Sequence, residues 1–183
     1  LRTVIRTDKY PLTRLSCTTA SELSKVLENS YRAMNIAFMQ EWTEFADASG
    51  VDLYEVIEAI RLRPTHQNIM QPGLGVGGYC LTKDPLLASW AAQSLFGSSP
   101  LFQSERAVAI NDQMPLYSVG VLQKFFGEQI IGKSVLVMGV SYRNDVGDTR
   151  NSPVELLYDE LLSSGARIVL HDPYVAFWQE KKI

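Results

Sequence analysis

The sequence has little cysteine and no excess of positive charge. Its 183 residues include only two cysteines, Cys17 and Cys80, so cysteines alone form neither a disulfide framework nor a four-ligand zinc site. Lys and Arg number 17 against 20 Asp and Glu, and the net charge of -3 argues against sequence-independent binding to DNA or RNA. We therefore expect a protein of a reducing compartment, the cytoplasm, with no nucleic-acid partner.

A long uninterrupted apolar run is also missing. The two longest stretches without Asp, Glu, Lys or Arg are residues 64–82 and 85–104, each about as long as a membrane span. Glycines interrupt the first, and the segment from Gly97 to Pro100 interrupts the second, so the sequence predicts no membrane partner. Because an initiator Met and a basic-then-apolar leader are absent, we expect Leu1 to be an interior residue of a longer gene product.

One very long helix is predicted near the start of the chain. Residues 19–49 contain no Gly or Pro, and their apolar side chains form more than one stripe. Thr19 stands three residues before Glu22, the spacing of a capping box, and Gly50 is expected to end the helix. Such a helix has more apolar surface than a small domain covers. We therefore predict that it pairs with its counterpart in a homodimer.

Three shorter helices are predicted to follow, so that residues 19–127 form an all-α domain. Asp84 followed by Pro85 is expected to cap and begin the second of them. A break near Met114-Pro115 is expected in the third, because proline removes a helical hydrogen bond. The three helices are expected at 53–62 behind the cap Asp52, at 86–96, and at 101–126.

The pattern changes to a strand, a helix and a strand in residues 128–183. The run SVLVMGV from residue 134 is continuously apolar, which is typical of a strand buried on both faces. Ser152, Pro153 and Glu155 predict a helix start, and ARIVLHDPYV predicts the next strand. The fold class is therefore α+α/β: an all-α domain followed by the first βαβ unit of an incomplete Rossmann-like parallel sheet.

The densest chemical signal is the glycine-rich segment PGLGVGGYCLTKDP, residues 72–85. Glycines let backbone amides approach a ligand, and a thiol upstream of a helix start with Lys83 three residues on suits a thiolate nucleophile. A flexible loop around a small buried thiol explains the same composition equally well. The spacing alone does not separate the two interpretations.

Two further groups have a possible role in binding. Lys25 and Asn29 share one face of the long helix and could address one oxygen, although a solvated polar face explains the same spacing more simply. Arg143 and Arg150 flank a strand-to-helix turn that suits an anion such as phosphate. A tightly turned surface loop is the alternative, and the turn lacks the dinucleotide fingerprint of glycines.

Three segments in order carry a resemblance to a known family: SELSKVLENSYRAMNIAFMQEW, PGLGVGGYCLTKDP and SVLVMGVSYRNDVGDTRNSP. Together they closely resemble the UDP-glucose/GDP-mannose (nucleotide-sugar) 6-dehydrogenase family, from about residue 18 to Tyr174. The resemblance implies a helical central and dimerisation domain at 19–127 and a partial C-terminal nucleotide-sugar-binding domain at 128–183. It also implies that residues 1–18 are a linker from a missing N-terminal NAD domain, whose gene segment should encode a strand followed by GxGxxG.

The resemblance implies a reaction and its residues. The family oxidises the C6 alcohol of a nucleotide-linked hexose to a carboxylate with two NAD+ and no metal. Cys80 matches the nucleophile that forms a thiohemiacetal and then a thioester. Lys25 and Asn29 match the pair that holds the C6 oxygen and the catalytic water, and Asp84 matches the carboxylate that acts with them.

The resemblance also implies binding residues, with two departures from the family pattern. Arg143 stands where a Lys is usual, and Tyr79 stands where Ser or His is frequent. Substrate contacts are implied for Gly73, Leu74, Gly75, Val76, Gly77, Tyr142 and Arg143, and NAD contacts for Lys83 and Arg150.

Two other functions compete with a dehydrogenase fragment. One is a non-catalytic dimerisation and nucleotide-binding module, and the fragment without its NAD domain is expected to be inactive in either case. The other is a thiol redox protein, which the lack of a Cys-x-x-Cys pair or of a resolving cysteine near Cys80 weakens. UDP-glucose, UDP-N-acetylhexosamines and GDP-mannose all stay open as substrates.

Overall fold

Four α-helices precede a parallel pair of strands that flank a fifth helix. The computed structural model describes residues 3–127 and 130–183. The predicted fold class, an all-α part followed by a βαβ unit, is confirmed. The elements are α1 Thr18–Ser49, α2 Leu53–Arg61, a short 3-10 turn Pro64–His66, α3 Cys80–Phe96, α4 Phe102–Phe125, β1 Ser134–Met138, α5 Val154–Ser163 and β2 Arg167–His171.

The long helix α1 is present, but it begins differently from the prediction. Cys17 occupies the N-cap position without a side-chain hydrogen bond, so the predicted capping box of Thr19 and Glu22 is wrong. The helix starts earlier because the backbone N–H of Ser21 already donates to the carbonyl of Cys17 at 3.4 Å. Gly50 ends the helix in a left-handed conformation, as predicted.

Small residues let α1 lie close to the other helices. Ala33 and Ala37 of α1 are buried against Ala107 of α4. Near its end, Met39 and Ala46 form a second cluster with residues of α2. Asp52 caps α2 as predicted, because its side chain accepts a hydrogen bond from the N–H of Tyr54. These contacts make α1 the common support of the helical part.

The third helix begins six residues earlier than predicted, at Cys80 instead of residue 86. Asp84 and Pro85 were expected to form its cap and first turn, but both lie inside α3, which starts at Cys80. Both side chains are buried, and Asp84 takes part in contacts with α1 rather than capping a helix. The consequence is that Cys80 occupies the first position of α3.

The fourth helix continues through the expected break. Pro115 lies inside α4 and is buried, so the predicted interruption near Met114-Pro115 is wrong. Proline cannot donate to the carbonyl four residues before it, here that of Asn111. This carbonyl lies near Gly75 of the glycine loop, where a Cβ would meet it at 3.3 Å. The helix stays intact, and the carbonyl of Asn111, which has no helical donor, is left as an acceptor beside the loop.

The two strands are parallel, with Ser134 opposite Arg167 and Met138 opposite His171. Alternate residues of β1, such as Val137, pack into a core with α5. The other face was predicted to be buried as well, but Leu136 is 57% exposed and Met138 is 76% exposed. The difference arises because the described residues supply a helix for one face of the sheet only.

The described part of the chain has neither a membrane-spanning helix nor a cluster of metal ligands. In residues 3–127 and 130–183, no helix has both the length and the apolar character that a membrane crossing requires. The same residues contain no group of three or more His, Cys, Asp or Glu side chains arranged to hold a metal ion.

Candidate functional site

Three polar side chains from two helices meet where α1 contacts α3. Asp84 is only 2% exposed, and its Oδ2 accepts hydrogen bonds from Lys25 Nζ and from Asn29 Nδ2, the latter at 2.7 Å. Lys25 and Asn29 reach the same oxygen because they lie one turn apart on α1. The interpretation of these two residues as an unpartnered solvated face is therefore wrong.

The charged forms of Asp84 and Lys25 stabilise each other. Burial opposes the ionisation of Asp84, but the hydrogen bonds from Lys25 and Asn29 outweigh it and hold the pKa of Asp84 below its ordinary value. The hydrogen bond to Asp84 raises the pKa of Lys25, and the neighbouring thiol of Cys80 acts in the same direction. At neutral pH the cluster therefore contains a carboxylate and an ammonium group.

Cys80 completes this cluster from the first position of α3. Its side chain is exposed, so the interpretation as a small buried thiol is wrong. The N-terminal end of a helix carries a partial positive charge, and the exposed Lys83 lies one turn further along. The thiol therefore lies between the positive end of α3 and the ammonium group of Lys25, while remaining open to a ligand.

Asn111 of α4 fixes the glycine loop that leads to Cys80. Its side-chain Oδ1 accepts from the N–H of Val76 at 2.8 Å, and its Nδ2 donates to the carbonyl of Val76 at 2.9 Å. Both backbone groups of Val76 are thus bonded to one buried side chain. Sequence reasoning missed Asn111, because a single Asn inside a helical stretch carries no local signal of a loop contact.

The other side of the loop lies against the turn that follows β1. The N–H of Gly78 donates to the carbonyl of Arg150 at 3.0 Å, and Asn151 Nδ2 donates to the carbonyl of Gly78 at 3.1 Å. A Cβ on Gly77 would lie 2.2 Å from the carbonyl oxygen of Asn151 and 2.6 Å from Cβ of Tyr142. The two backbones approach this closely only because residue 77 is glycine.

A cavity of about 750 Å³ lies between α4 and β1 and extends to the carboxyl ends of both strands. It is lined by Leu74 of the glycine loop and by Tyr142 and Arg143 of the turn after β1. Val76 lines a different cavity of about 480 Å³ between α4 and the start of α5.

The predicted site residues thus form two groups. Leu74 lies with Tyr142 and Arg143, whereas Cys80 lies with Lys25, Asn29 and Asp84. Gly77 and Gly78 connect the two groups.

Arg150 lies beside the loop in a fixed orientation. Its Nε donates to Asp148 Oδ1 at 2.8 Å, and its Nη2 donates to Oδ2 of the same carboxylate. These bonds lower the pKa of Asp148 to about 2 and raise the pKa of Arg150. The guanidinium also lies over the ring of Tyr79, 5.1 Å from its centroid. Tyr79 was noted in the sequence only as a departure from a pattern.

Family models match most of the chain. Residues 19–113 match the central domain of the UDP-glucose/GDP-mannose dehydrogenase family, and residues 136–183 match the UDP-binding domain of the same family. The two matched regions correspond to the helical part and to the βαβ unit described above. The residues of the cluster around Asp84 all lie in the first match, and the turn with Arg143 and Arg150 lies in the second.

Individual proteins with assigned names are similar over the same regions. The UDP-N-acetyl-D-mannosamine dehydrogenase of Methanocaldococcus jannaschii is 36% identical over 154 residues, which is 84% of this chain and 34% of that protein. An NDP-N-acetyl-D-galactosaminuronic acid dehydrogenase from Ralstonia nicotianae is 31% identical over 85% of this chain and 35% of its own length. The chain thus spans about a third of the curated relatives it matches.

Solved structures show the same likeness in three dimensions. The UDP-D-ManNAc dehydrogenase of Pyrococcus horikoshii has a TM-score of 0.76 and 32% identity, covering 91% of this chain and 40% of that one. A UDP-glucose dehydrogenase from Pyrobaculum islandicum has a TM-score of 0.74 and 32% identity, covering 87% of this chain and 36% of that one.

Proposed function

The chain belongs to the UDP-glucose/GDP-mannose dehydrogenase family, and on that premise we propose that it forms the central and nucleotide-sugar-binding parts of an NAD-dependent nucleotide-sugar 6-dehydrogenase. In this proposal the complete enzyme acts in the cytoplasm and oxidises the C6 alcohol of its substrate to a carboxylate. The observation that carries the proposal is the cluster in which Lys25, Asn29 and Asp84 surround the start of α3, next to an exposed Cys80.

Cys80 is the proposed nucleophile. An alcohol is first oxidised to the C6 aldehyde, and the thiolate sulfur then bonds to the aldehyde carbon to give a thiohemiacetal. Loss of a second hydride from C6, together with the proton of the C6 hydroxyl, leaves a thioester on Cys80. Attack of water on the thioester breaks the C–S bond, releases the uronic acid and restores the thiol. The covalent bond keeps the aldehyde from leaving between the two oxidations.

Lys25, Asn29 and Asp84 are proposed to handle the oxygen and the water. Lys25 has three N–H donors, and its bond to Asp84 uses one of them, so it can also stabilise the oxyanion that forms on C6. Both hydrogen bonds to Asp84 go to Oδ2, and in residues 3–127 and 130–183 no hydrogen bond to Oδ1 is seen. Oδ1 thus keeps its capacity to accept a hydrogen bond, and it is the proposed acceptor for the proton of a water molecule held beside the thioester.

The residues beside Cys80 fit a phosphate-bearing dinucleotide. Arg150 and Lys83 are exposed cations near the positive end of α3, and the guanidinium edge of Arg150 away from Asp148 can bind phosphate oxygens. We assign both residues to NAD, with most of the dinucleotide held by an N-terminal domain outside this chain. When bound, NAD supplies the acceptor for the two hydrides that leave C6.

The nucleotide-sugar is proposed to occupy the cavity at the strand ends. Tyr142 offers an aromatic surface and Arg143 offers a cation for the diphosphate, while the loop from Gly73 to Gly77 covers the sugar. The named relatives act on N-acetylated sugars in several cases, as in the UDP-N-acetyl-D-mannosamine dehydrogenase of Methanocaldococcus jannaschii. We therefore propose a UDP-N-acetylhexosamine as the substrate, with UDP-N-acetyl-D-mannosamine as the first compound to test.

A homodimer through α1 is part of the proposal. Six exposed apolar side chains follow one another at intervals of three to seven residues along α1, which places them on one stripe roughly 33 Å long. Trp42 packs edge-on against Phe45 and tilted against Phe38, so the stripe ends in an aromatic cluster. The same stripe on a second copy would cover it. The six residues are Leu23, Leu27, Tyr31, Phe38, Trp42 and Phe45.

The proposed function is tested with the polypeptide encoded by the complete gene. Purified enzyme is incubated with NAD and each of UDP-N-acetyl-D-mannosamine, UDP-glucose and GDP-mannose, and the uronate is detected by mass spectrometry. We expect Cys80→Ala to reduce uronate formation by about 10³-fold or more. Cys17→Ser, which changes the other exposed thiol, should retain the wild-type rate.

Two results would contradict the proposal. Uronate formation by Cys80→Ala at the wild-type rate would show that Cys80 is not the nucleophile. If the wild-type polypeptide bound a nucleotide-sugar in calorimetry but produced no uronate from any of the three compounds, the chain would be a non-catalytic dimerisation and nucleotide-binding module.

A further inference from the structure

Tyr79 lies immediately before Cys80 and contacts Arg150, which belongs to the turn before α5. It occupies the N-cap position of α3, and the residue is 54% exposed. The guanidinium of Arg150 lies over this ring, with Cζ 5.1 Å from the centroid. A guanidinium within about 6 Å of an aromatic face is attracted by the electrons of the ring. The contact therefore joins the start of α3 to the turn that precedes α5.

Backbone hydrogen bonds hold the two side chains next to each other. The N–H of Gly78 donates to the carbonyl of Arg150 at 3.0 Å, and the carbonyl of Gly78 accepts from Asn151 Nδ2 at 3.1 Å. Tyr79 follows Gly78, so its ring and the Arg150 side chain extend from backbone segments that are already joined. The stacking costs little extra ordering, because both starting points are fixed before the side chains meet.

The remaining contacts of Arg150 leave one edge of its guanidinium available. A guanidinium has five N–H donors, and Asp148 accepts from Nε and from one N–H of Nη2. Among residues 3–127 and 130–183, the side-chain hydrogen bonds of Arg150 within 3.5 Å all go to Asp148, and the Tyr79 hydroxyl lies close enough to raise the pKa of Arg150 further. Asp148 thus binds one edge of the guanidinium, and the ring of Tyr79 covers one of its faces. The edge formed by Nη1 and Nη2 remains for two oxygens of an anionic ligand.

We propose that Tyr79 is a positioning residue that holds the Arg150 guanidinium beside Cys80 with this donor edge open to the phosphate groups of a dinucleotide. Tyr79 acts through the face of its ring, so its hydroxyl is not required. The inference rests on the proposed function only in naming the dinucleotide, because contacts within this chain hold Arg150 against Tyr79, the residue that precedes the thiol of Cys80.

The orientation is measured by alkylating Cys80 in the 183-residue chain with Cys17→Ser as background, so that one thiol reacts. Iodoacetate is an anion and iodoacetamide is neutral and of similar size, so the ratio of their rate constants reports the positive charge near the sulfur. Lys25 and Lys83 are unchanged in every variant, so their effect on this ratio is the same throughout. We expect Tyr79→Ser to lower this ratio about two-fold. A unit positive charge at roughly 8 Å from a reacting anion in water changes the rate by this factor, and the charge would be lost from that position.

Three variants control the experiment. Tyr79→Phe keeps the aromatic face and should retain the parent ratio, and Tyr54→Ser, which changes a tyrosine exposed to a similar extent at 52%, should retain it as well. Arg150→Gln should lower the ratio by itself and abolish any further effect of Tyr79→Ser. Circular dichroism confirms that each variant is folded. If Tyr79→Ser does not fold, the comparison of Tyr79→Phe with Tyr79→Leu replaces it.

An unchanged ratio in Tyr79→Ser would overturn the proposal. A ratio in Tyr79→Phe as low as that in Tyr79→Ser would also overturn it, because the hydroxyl would then be the acting group. In the complete enzyme we expect Tyr79→Ser to raise KM for NAD roughly two- to five-fold with a smaller change in kcat. An inactive complete enzyme with the expected alkylation ratios would contradict the proposed function and leave the role of Tyr79 standing.

Discussion

Asp84 shows how a buried carboxylate stays charged in this protein. It is almost completely removed from solvent, which by itself favours the neutral acid. Two donors from one face of α1 reverse that preference, and one of them, Lys25, carries the compensating charge. The ion pair also explains why Lys25, although about half exposed, has a defined position beside the thiol.

The pKa of Lys25 should respond to the charge on residue 84. Asp84→Asn keeps a carbonyl oxygen that accepts hydrogen bonds but removes the negative charge, so the pKa of Lys25 should fall from its raised value towards the ordinary value. Titration of the lysine side chains by NMR measures this change. Glu41→Gln, an exposed change further along the same helix, is the control. An unchanged pKa of Lys25 in Asp84→Asn would show that the two groups do not interact in solution.

Asp172 should make stability depend on pH in the acid range. Burial opposes its ionisation, but the N–H groups of Val140, Tyr174 and Ser141 donate to it and hold its pKa below the ordinary value. A carboxylate with a lowered pKa stabilises the fold above the unfolded-state pKa of about 4, and this contribution is lost as the pH falls through the folded-state value.

The matching variant is Asp172→Asn. We expect it to lower the free energy of unfolding at pH 7 by about 1–3 kcal/mol, because three backbone donors lose a charged acceptor. The difference from the parent chain should shrink as the pH falls below about 4. Urea unfolding at several pH values measures it, and Glu41→Gln, an exposed change on α1, is the comparison. A difference that stays constant from pH 7 to pH 3 would contradict this assignment.

At the scale of elements, the position of Cys80 depends on where α3 begins. The start of α3 is fixed by the glycine loop, which Asn111 bonds on one side and Asn151 bonds on the other. Pro115 contributes as well, since it leaves the carbonyl of Asn111 without a helical donor close to Gly75. Cys80 is thus positioned by residues from α4 and from the turn before α5.

Asn111→Ala should loosen this loop. The N–H and carbonyl of Val76 would both lose a partner in a partly buried place, so we expect the free energy of unfolding to fall by about 1–3 kcal/mol. Hydrogen exchange at the N–H of Val76 should speed up more than exchange at the centre of α4. Asn35→Ala, which removes only an exposed contact to the backbone of its own helix, should change little. Equal effects of the two substitutions would contradict the assigned role of Asn111.

The sequence predicted elements better than their ends. The unbroken apolar pattern of α1, the cap at Asp52 and the order of strand, helix and strand all followed from local patterns, and the structure contains them. The start of α3 could not be predicted, because the pair Asp84-Pro85 is a common helix start and only the contact with Lys25 on α1 gives Asp84 another role. The continuity of α4 through Pro115 likewise depends on tertiary packing.

The candidate site was predictable to a similar degree. The resemblance to a family supplied Lys25, Asn29, Cys80 and Asp84, and the structure brings Lys25, Asn29 and Asp84 into one hydrogen-bonded group. Sequence spacing alone could not predict this group, since residues 25 and 84 are far apart in the chain. The supporting contacts of Asn111 and Tyr79 were out of reach, because each depends on a partner in another element.

At the scale of the whole molecule, the apolar stripe of α1 should determine the oligomeric state. Trp42 is the middle ring of the aromatic cluster, between Phe38 and Phe45. Trp42→Glu places a charge there and should convert a dimer to a monomer, because burying an unpaired carboxylate is costly. Sedimentation velocity at several concentrations measures the change. Val169→Glu, on the exposed face of β2, is the matched control. A parent chain that remains monomeric at tens of micromolar with its helices intact would contradict the dimer.

The close approach at Gly77 also predicts how the protein tolerates mutation. Any side chain at position 77 would force the helical part away from the βαβ unit, because the carbonyl of Asn151 is backbone and cannot move aside alone. Gly73 belongs to the same motif, yet a Cβ there would meet nothing within 4 Å. In a library randomised at both positions and selected for folded protein, position 77 should return glycine alone while position 73 accepts many residues. Two glycines four residues apart are therefore under different physical constraints, although they look equivalent in the motif.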